Sequence, residues 1–268
     1  MPSKAFKVDA VHEQVIKHLE ALKLQGMASQ YRSQVLDPKF NEMSFGDRML
    51  CMLEEQIAGR NARRRERLKK ASGVVSTASF DDLIRDGREA HLGTLKEISG
   101  GFWMTWDVPI NLMISGATGT GKTWILEAMS NKASEMGLSS LLVMWPSFLD
   151  QMRAARRENR IESWLLSMQK KRLLSIDDFG MAPMEETDLS DFFRLVTMRD
   201  GVHSTAIASQ KGFETWHEYL GGGHIADAVI DRLINRSYKL DLKGDSLRKE
   251  KSPTAKRRKP KAKVAEDA

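Results

Sequence analysis

The chain has 268 residues, 41% hydrophobic and 29% charged, which suits a globular protein with a real core and excludes a low-complexity or fibrous one. One cysteine excludes an internal disulfide framework and a cysteine-rich zinc site. With no apolar run of signal-peptide or bilayer length, a cytoplasmic home and no membrane partner are expected. The net charge of +6 is concentrated: Lys249 to Ala268 holds eight basic and three acidic residues, and Arg60 to Lys70 seven basic and one acidic, a pattern suited to polyanion binding.

From Val8 to about Lys70 the sequence reads as helical, with Val11, Val15, Leu19 and Leu22 at helical spacing and the pattern continuing through Leu24 to Leu36. Asp37-Pro38 is a break, because the residue before proline disfavours the α region. Ser44 is the expected N-cap of a long helix, with Asp47 in the capping-box position. Met49, Leu50, Leu53 and Ile57 give that helix an apolar stripe, and Arg60, Arg63, Arg64 and Arg67 share one face of its far end. Ala71 to Ser79 is small and polar and reads as a linker. The expected organisation is therefore a helical N-terminal domain over residues 1–72, a second domain over 73–248, and a basic, disordered tail over 249–268.

The second domain alternates strand and helix. Strands are predicted at Asn111–Ser115, Ser139–Met144, Leu173–Ile176 and Ser204–Ser209, and helices at Trp124–Glu135, Ser147–Arg160, Asp188–Arg199 and Ile225–Ile230. That alternation predicts an α/β fold with a parallel sheet covered by helices on both faces.

Gly116-Ala117-Thr118-Gly119-Thr120-Gly121-Lys122-Thr123 matches G-x-x-x-x-G-K-[ST], between a predicted strand and a predicted helix. Backbone amides at the start of a helix cradle phosphates, so ATP is the expected ligand. Lys122 is expected on the β- and γ-phosphates and the Thr123 hydroxyl on Mg2+. Leu173 to Ile176 ends in Asp177-Asp178, a Walker B pair in which Asp177 serves the magnesium and Asp178 orients or deprotonates the attacking water. Spacing alone does not separate Arg232 or Arg248 from the other basic residues.

The stretches GATGTGKTW, IDDFGMAP and WHEYLGGGHIADAVIDRLINRSYKLDLKGDSLRK, with LKLQGMASQYRSQVLDP and RNARRRERLKKA near the N-terminus, resemble the IstB-like helper ATPases of bacterial insertion sequences. The resemblance covers nearly the whole chain and is most specific from Trp216 to Arg248. It implies an AAA+ core related to DnaC-type helicase loaders, with Gln210 at the sensor position that polarises the lytic water. It also implies that Arg232 is a finger reaching a neighbouring subunit's nucleotide and that Arg248 sits at the second sensor position. Asp178 stands where many AAA+ proteins carry Glu, and the Gly221-Gly222-Gly223 run has no account from sequence.

What the resemblance implies is a transposition helper that forms a homo-oligomer on double-stranded DNA with ATP and directs a cognate transposase, nucleoid-associated when DNA-bound. A helicase loader and a non-hydrolysing DNA-binding scaffold stand beside it as alternatives. For the DNA contact, Arg153, Arg156, Arg157 and Arg160 recur at i, i+3, i+4 and i+7 on one predicted helix, and guanidinium suits phosphate. Arg63, Arg64 and Arg67 are the rival surface.

Overall fold

The structure, a computed structural model, describes residues 9–81 and 92–243. It divides into two compact units at Arg67/Leu68.

The first unit is helical. α1 (Ala10–Ala21) opens on Asp9, whose side chain accepts from the His12 amide, and stops where Lys23 takes a left-handed φ of 59°. α2 (Gln25–Leu36) follows, so the continuous helix expected through Leu24 is two helices. A short 3-10 turn at Pro38–Glu42 leads to α3 (Phe45–Ala71). Ser44 begins α3 as its sequence implies: its Oγ accepts from the Asp47 amide at 3.1 Å and donates to the Asp47 carboxylate at 2.7 Å. The face of α3 that is buried is not the predicted one. Met52 and Gln56 are buried, and Gln56 Oε1 accepts the Gly26 amide at 2.9 Å, capping α2. Leu50 and Ile57 of the predicted stripe stay 54% and 57% exposed. One side-chain amide, able to satisfy an orphan helix-start donor, decides the orientation against the apolar count.

In the second unit the segment after α3 is not a free linker. Asn131 Nδ2 donates to the Ser76 and Ala78 carbonyls at 3.1 and 3.0 Å, and Ser76 Oγ donates to Glu127 at 2.8 Å. Ala78 and Phe80 are buried in the core. Small residues there permit close docking, which composition alone reads as flexibility.

Beyond α4 (Leu92–Ser99) comes the sheet: β1 (Asn111–Gly116), β2 (Ser140–Met144), β3 (Leu173–Phe179), β4 (Ser204–Ser209) and β5 (Ser237–Leu242). Its order is β2-β3-β4-β1-β5, and every pairing is parallel. Alternate residues feed two cores, as a pleated strand requires. Leu112 and Ile114 join α5 (Lys122–Glu135) on one face. Met113, Ile176 and Ile207 join α6 (Trp145–Arg157), α7 (Ile161–Gln169), α8 (Glu186–Arg199) and α10 (Gly223–Ile234) on the other. The three-layer α/β/α architecture expected from the alternation is present. α6 starts two residues earlier than predicted, with Pro146 in its first turn, and ends at Arg157 rather than Arg160.

The glycine run acquires a reason. The single turn α9 (Trp216–Tyr219) is closed by the Gly221 amide on the Glu218 carbonyl and the Gly222 amide on the His217 carbonyl. Gly221, Gly222 and Gly223 all have positive φ, 83°, 70° and 76°, three in a row that side-chain-bearing residues adopt only at a cost.

At the amino ends of β3 and β4 lies Arg199, 2% exposed and hydrogen-bonded to neutral oxygens. It donates to the Met168 and Lys171 carbonyls at 2.7 and 2.8 Å, to Thr205 Oγ1 at 2.9 Å, and to the Ser204 carbonyl. Burial alone depresses the guanidinium's pKa, and the oxygens around it compensate the buried charge. Arg199→Met should therefore cost about 3–5 kcal/mol, because it leaves several buried acceptors without a donor at about 1–3 kcal/mol each. A urea-unfolding midpoint within error of wild type would show that these acceptors find water instead.

Candidate active site

Three strands bring the site together at their carboxyl ends, where open parallel sheets bind ligands. β1 runs into the glycine-rich loop, β3 into Asp177-Asp178 and β4 into Gln210, and β4 lies between the other two.

Gly116 leaves β1 with φ 147°, and a Cβ there would meet the Leu242 carbonyl oxygen at 2.5 Å, so β5 packs too closely for any side chain. Thr120 Oγ1 braces the loop by donating to the Ala117 carbonyl at 2.8 Å. Gly119 is half-buried in the loop, and Gly121 is the N-cap of α5. The first amides of a helix lack intrahelical acceptors, and with the macrodipole they favour an anion. Lys122 is buried at the start of α5, its Nζ donating to the Gly116 and Ala117 carbonyls at 2.8 and 2.9 Å. The ammonium thus stands inside the loop whose amides would hold phosphate.

Thr123 Oγ1 donates to Asp177 Oδ2 at 2.6 Å. Asp177 is 1% exposed and also accepts the Asp178 amide at 2.8 Å. Burial pushes its carboxyl above the ordinary range, against the pull of the Thr123 hydroxyl and the Asp178 amide. A cation beside it would relieve that penalty. Among the described residues no group of three or more His, Cys, Asp or Glu could hold a metal. One carboxylate and one hydroxyl match magnesium, which takes few protein ligands and completes its shell with phosphates and water.

Adjacent residues on a regular strand point to opposite faces. Asp177 lies on the α5 side, so Asp178 would be carried into the aromatic core. A bulge prevents this: pairing with β4 passes from Ile176–Ile207 to Phe179–Ser209, one extra residue on β3. Asp178 takes the left-handed φ of 52° that accommodates it, and Phe179 fills the core position against Trp145 and Trp216. Both carboxylates consequently stay at the site. A non-glycine residue with left-handed φ is a strain of the kind found at functional positions.

Gln210 spans the gap. Its Nε2 donates to Asp178 Oδ1 at 3.2 Å, and its Oε1 accepts from Thr118 Oγ1 at 2.7 Å. The sequence named Thr118 for its place in the loop. Nothing in the sequence signals its side chain's contact with a residue 92 positions away.

Arg232 is elsewhere. Its backbone carbonyl accepts from Asn111 at the start of β1, the end of the strand opposite the loop. Five residue steps of about 3.3 Å separate the two ends, roughly 16 Å, beyond an arginine's reach. Its guanidinium lies over the Phe193 ring at 5.1 Å and donates to the Ala228 carbonyl at 3.0 Å. It does not join its own chain's site. Arg248 and the 249–268 tail lie outside the described residues.

The four-arginine stripe also changes. Arg160 is not on α6: Asn159 takes φ 52°, and Arg160 becomes the N-cap of α7, paired with Glu158. Arg153 donates to Asp188 at 2.6 Å, and Arg156 to Asp188 at 3.0 Å and Asp191 at 2.8 Å. Asp188 is fully buried. Burial would raise its carboxyl, but the Arg153, Glu185 and Arg156 hydrogen bonds together hold it below the ordinary carboxylate range. These two arginines fasten α6 to α8, while Arg157 and Arg160 are exposed, as are Arg63, Arg64 and Arg67 on α3.

The family described as IstB-like ATP binding protein matches residues 17–255. The insertion sequence ATP-binding protein y4pL of Sinorhizobium fredii is 29% identical over 232 residues, 86% of this chain and 94% of that one. The IS1162 ATP-binding protein of Pseudomonas fluorescens is 31% identical over 200 residues, 74% of this chain and 86% of that one. Among solved structures, AMPPCP-bound DnaA from Aquifex aeolicus aligns with a TM-score of 0.55 at 18% identity, covering 65% of this chain and 52% of that chain. The fold is that of AAA+ P-loop ATPases. No helix among the described residues is long and apolar enough to cross a membrane.

Proposed function

The chain belongs to the IstB-like ATP-binding protein family, and from that premise we propose that it is an ATP-hydrolysing transposition helper. In this reading it assembles on double-stranded DNA and recruits or stimulates a partner transposase. The observation that carries the hydrolytic reading is the meeting of loop, Asp177, Asp178 and Gln210 at the carboxyl ends of three adjacent strands, with Thr123 on Asp177 at 2.6 Å. The loop amides and Lys122 neutralise the β- and γ-phosphates, which positions the nucleotide. Thr123 and Asp177 are the residues that would hold Mg2+, which when bound offsets charge on those phosphates. Asp178 orients the attacking water or takes its proton, and Gln210 polarises that water. Arg232, out of reach of its own site, supplies positive charge to a neighbour's, which makes a homo-oligomer the hydrolytic unit. Arg248 is assigned the second sensor role. Relatives named as insertion-sequence proteins favour the helper over a helicase loader.

DNA binding of this kind acts on phosphates, carries little base information and makes the protein nucleoid-associated in a bacterial cytoplasm. Because Arg153 and Arg156 serve Asp188, the exposed Arg157 and Arg160 and the α3 arginines Arg63, Arg64 and Arg67 are the candidates for phosphate contact. A salt titration of duplex binding with ATP tests this. Each lost phosphate contact lowers the slope of log affinity against log salt by about 0.9. Arg63→Ala with Arg64→Ala should flatten it by roughly 1.8, and Arg157→Ala by roughly 0.9. Arg156→Ala should instead lower stability by roughly 1–3 kcal/mol, since Asp188 loses a partner. Wild-type slopes for both the 63/64 and 157 variants would remove these surfaces from the DNA path.

A further inference from the structure

The Gln210 amide has two unlike ends, a donor and an acceptor, exchanged by a half-turn of its last torsion. It is exposed at the end of β4, so packing does not choose between them. Asp178 does. Its carboxylate can only accept, and it receives Nε2 at 3.2 Å. The Thr118 hydroxyl, 2.7 Å from Oε1, donates there and tethers the amide's other end. A reversed amide would set Oε1 against the carboxylate. The phosphate-cradling work of the loop falls to backbone amides and Lys122, which leaves the Thr118 side chain, exposed at the loop's tip, available for this separate task.

We infer that Thr118 is a positioning residue for hydrolysis: its hydroxyl holds the Gln210 oxygen and so steadies the amide whose nitrogen donates to Asp178. This rests on the reading of Asp178 and Gln210 as the groups that handle the attacking water. The contact ties a residue of the glycine-rich loop to the end of β4 and, through it, to the bulge of β3. Loop position and water-handling groups are thus set by one chain of two hydrogen bonds.

The test uses the full chain on duplex DNA at a protein concentration where the rate per subunit has saturated. Turnover and ATP affinity are measured for Thr118→Val, Thr118→Ser, Gln210→Ala and the Val/Ala double variant. Valine keeps the shape and removes the hydroxyl, so kcat should fall about three- to tenfold, the worth of one neutral hydrogen bond, with ATP affinity within about twofold of wild type. Serine, which retains the hydroxyl, should recover the rate. Gln210→Ala should be at least as slow as Thr118→Val, and the double variant no slower than Gln210→Ala alone, because Thr118 acts only through Gln210. Losses that multiply in the double variant would overturn the inference, as would a Thr118→Val enzyme with wild-type kcat beside an impaired Gln210→Ala. A Thr118→Val enzyme that loses ATP affinity at unchanged kcat would make Thr118 a phosphate ligand instead. Wild-type turnover in Gln210→Ala would remove Gln210 from the proposed function, and the inference with it.

Discussion

Lys122→Ala is expected to abolish nucleotide binding at any working ATP concentration, while Asp178→Asn binds ATP normally and fails to turn it over. The ammonium is the one side-chain cation buried inside the loop among its described contacts, held by the Gly116 and Ala117 carbonyls. Its charged hydrogen bonds to two phosphates are worth about 3–6 kcal/mol together, or roughly a hundred- to ten-thousandfold in affinity. Asp178 lies outside the cradle, and asparagine tolerates its left-handed backbone of φ 52° with nearly unchanged shape. Loss of a base or water-orienting group should lower turnover by about a hundred- to ten-thousandfold. A fluorescent-nucleotide titration and a phosphate-release assay on the same preparations separate the two effects. Wild-type hydrolysis by Asp178→Asn would show that the water is handled by another group.

The parts of this site that are legible in the sequence are those whose chemistry is local. The glycine-rich loop occupies eight consecutive residues, and the strand before it and the helix after it are readable from apolar runs. The pairing of Thr123 with Asp177 follows from two motifs. What joins Asp178 to Gln210 does not, because it depends on a bulge created by register with β4, and register is a property of two strands. β5 escaped notice for a related reason. Tyr238, Leu240 and Leu242 alternate with Lys239 and Asp241, the pattern of an edge strand, yet the charges inside Ser-Tyr-Lys-Leu-Asp-Leu keep it from standing out as an apolar run.

Charge and apolar patterns misled where a partner distant in sequence decides the outcome. Arg153 and Arg156 read as a free cationic face because their acids, Asp188 and Asp191, come 35 residues later on α8. The stripe of α3 pointed outward because Gln56, a polar residue, is the one that caps α2. Periodicity shows that a helix is two-faced, but the neighbour determines which face is buried.

Arg232→Ala should remove hydrolysis by the assembled protein while sparing the folded subunit and its affinity for ATP. The side chain's local contacts, one carbonyl of its own helix and the Phe193 ring, are worth little at a half-buried site, about 0.5–1 kcal/mol for the ring. A finger acting on developing phosphate charge is worth about a thousand- to a hundred-thousandfold in turnover. The geometry supplies a sharper test than loss alone. Because Arg232 sits at the end of β1 remote from its own loop, the proposed finger would have to serve a different subunit's site. Subunits carrying Asp178→Asn bind ATP and keep an intact Arg232 but have no working site, and subunits carrying Arg232→Ala have the reverse. Each preparation alone should be inactive. Mixed on DNA with ATP, the two should regain activity, since head-to-tail contacts juxtapose different patches and roughly a quarter of the interfaces in an equal mixture pair an intact site with an intact finger. Activity should peak near equal proportions and vanish at either extreme. A mixture as inactive as its components, under conditions where both variants still enter assemblies, would mean that Arg232 does not reach across the interface.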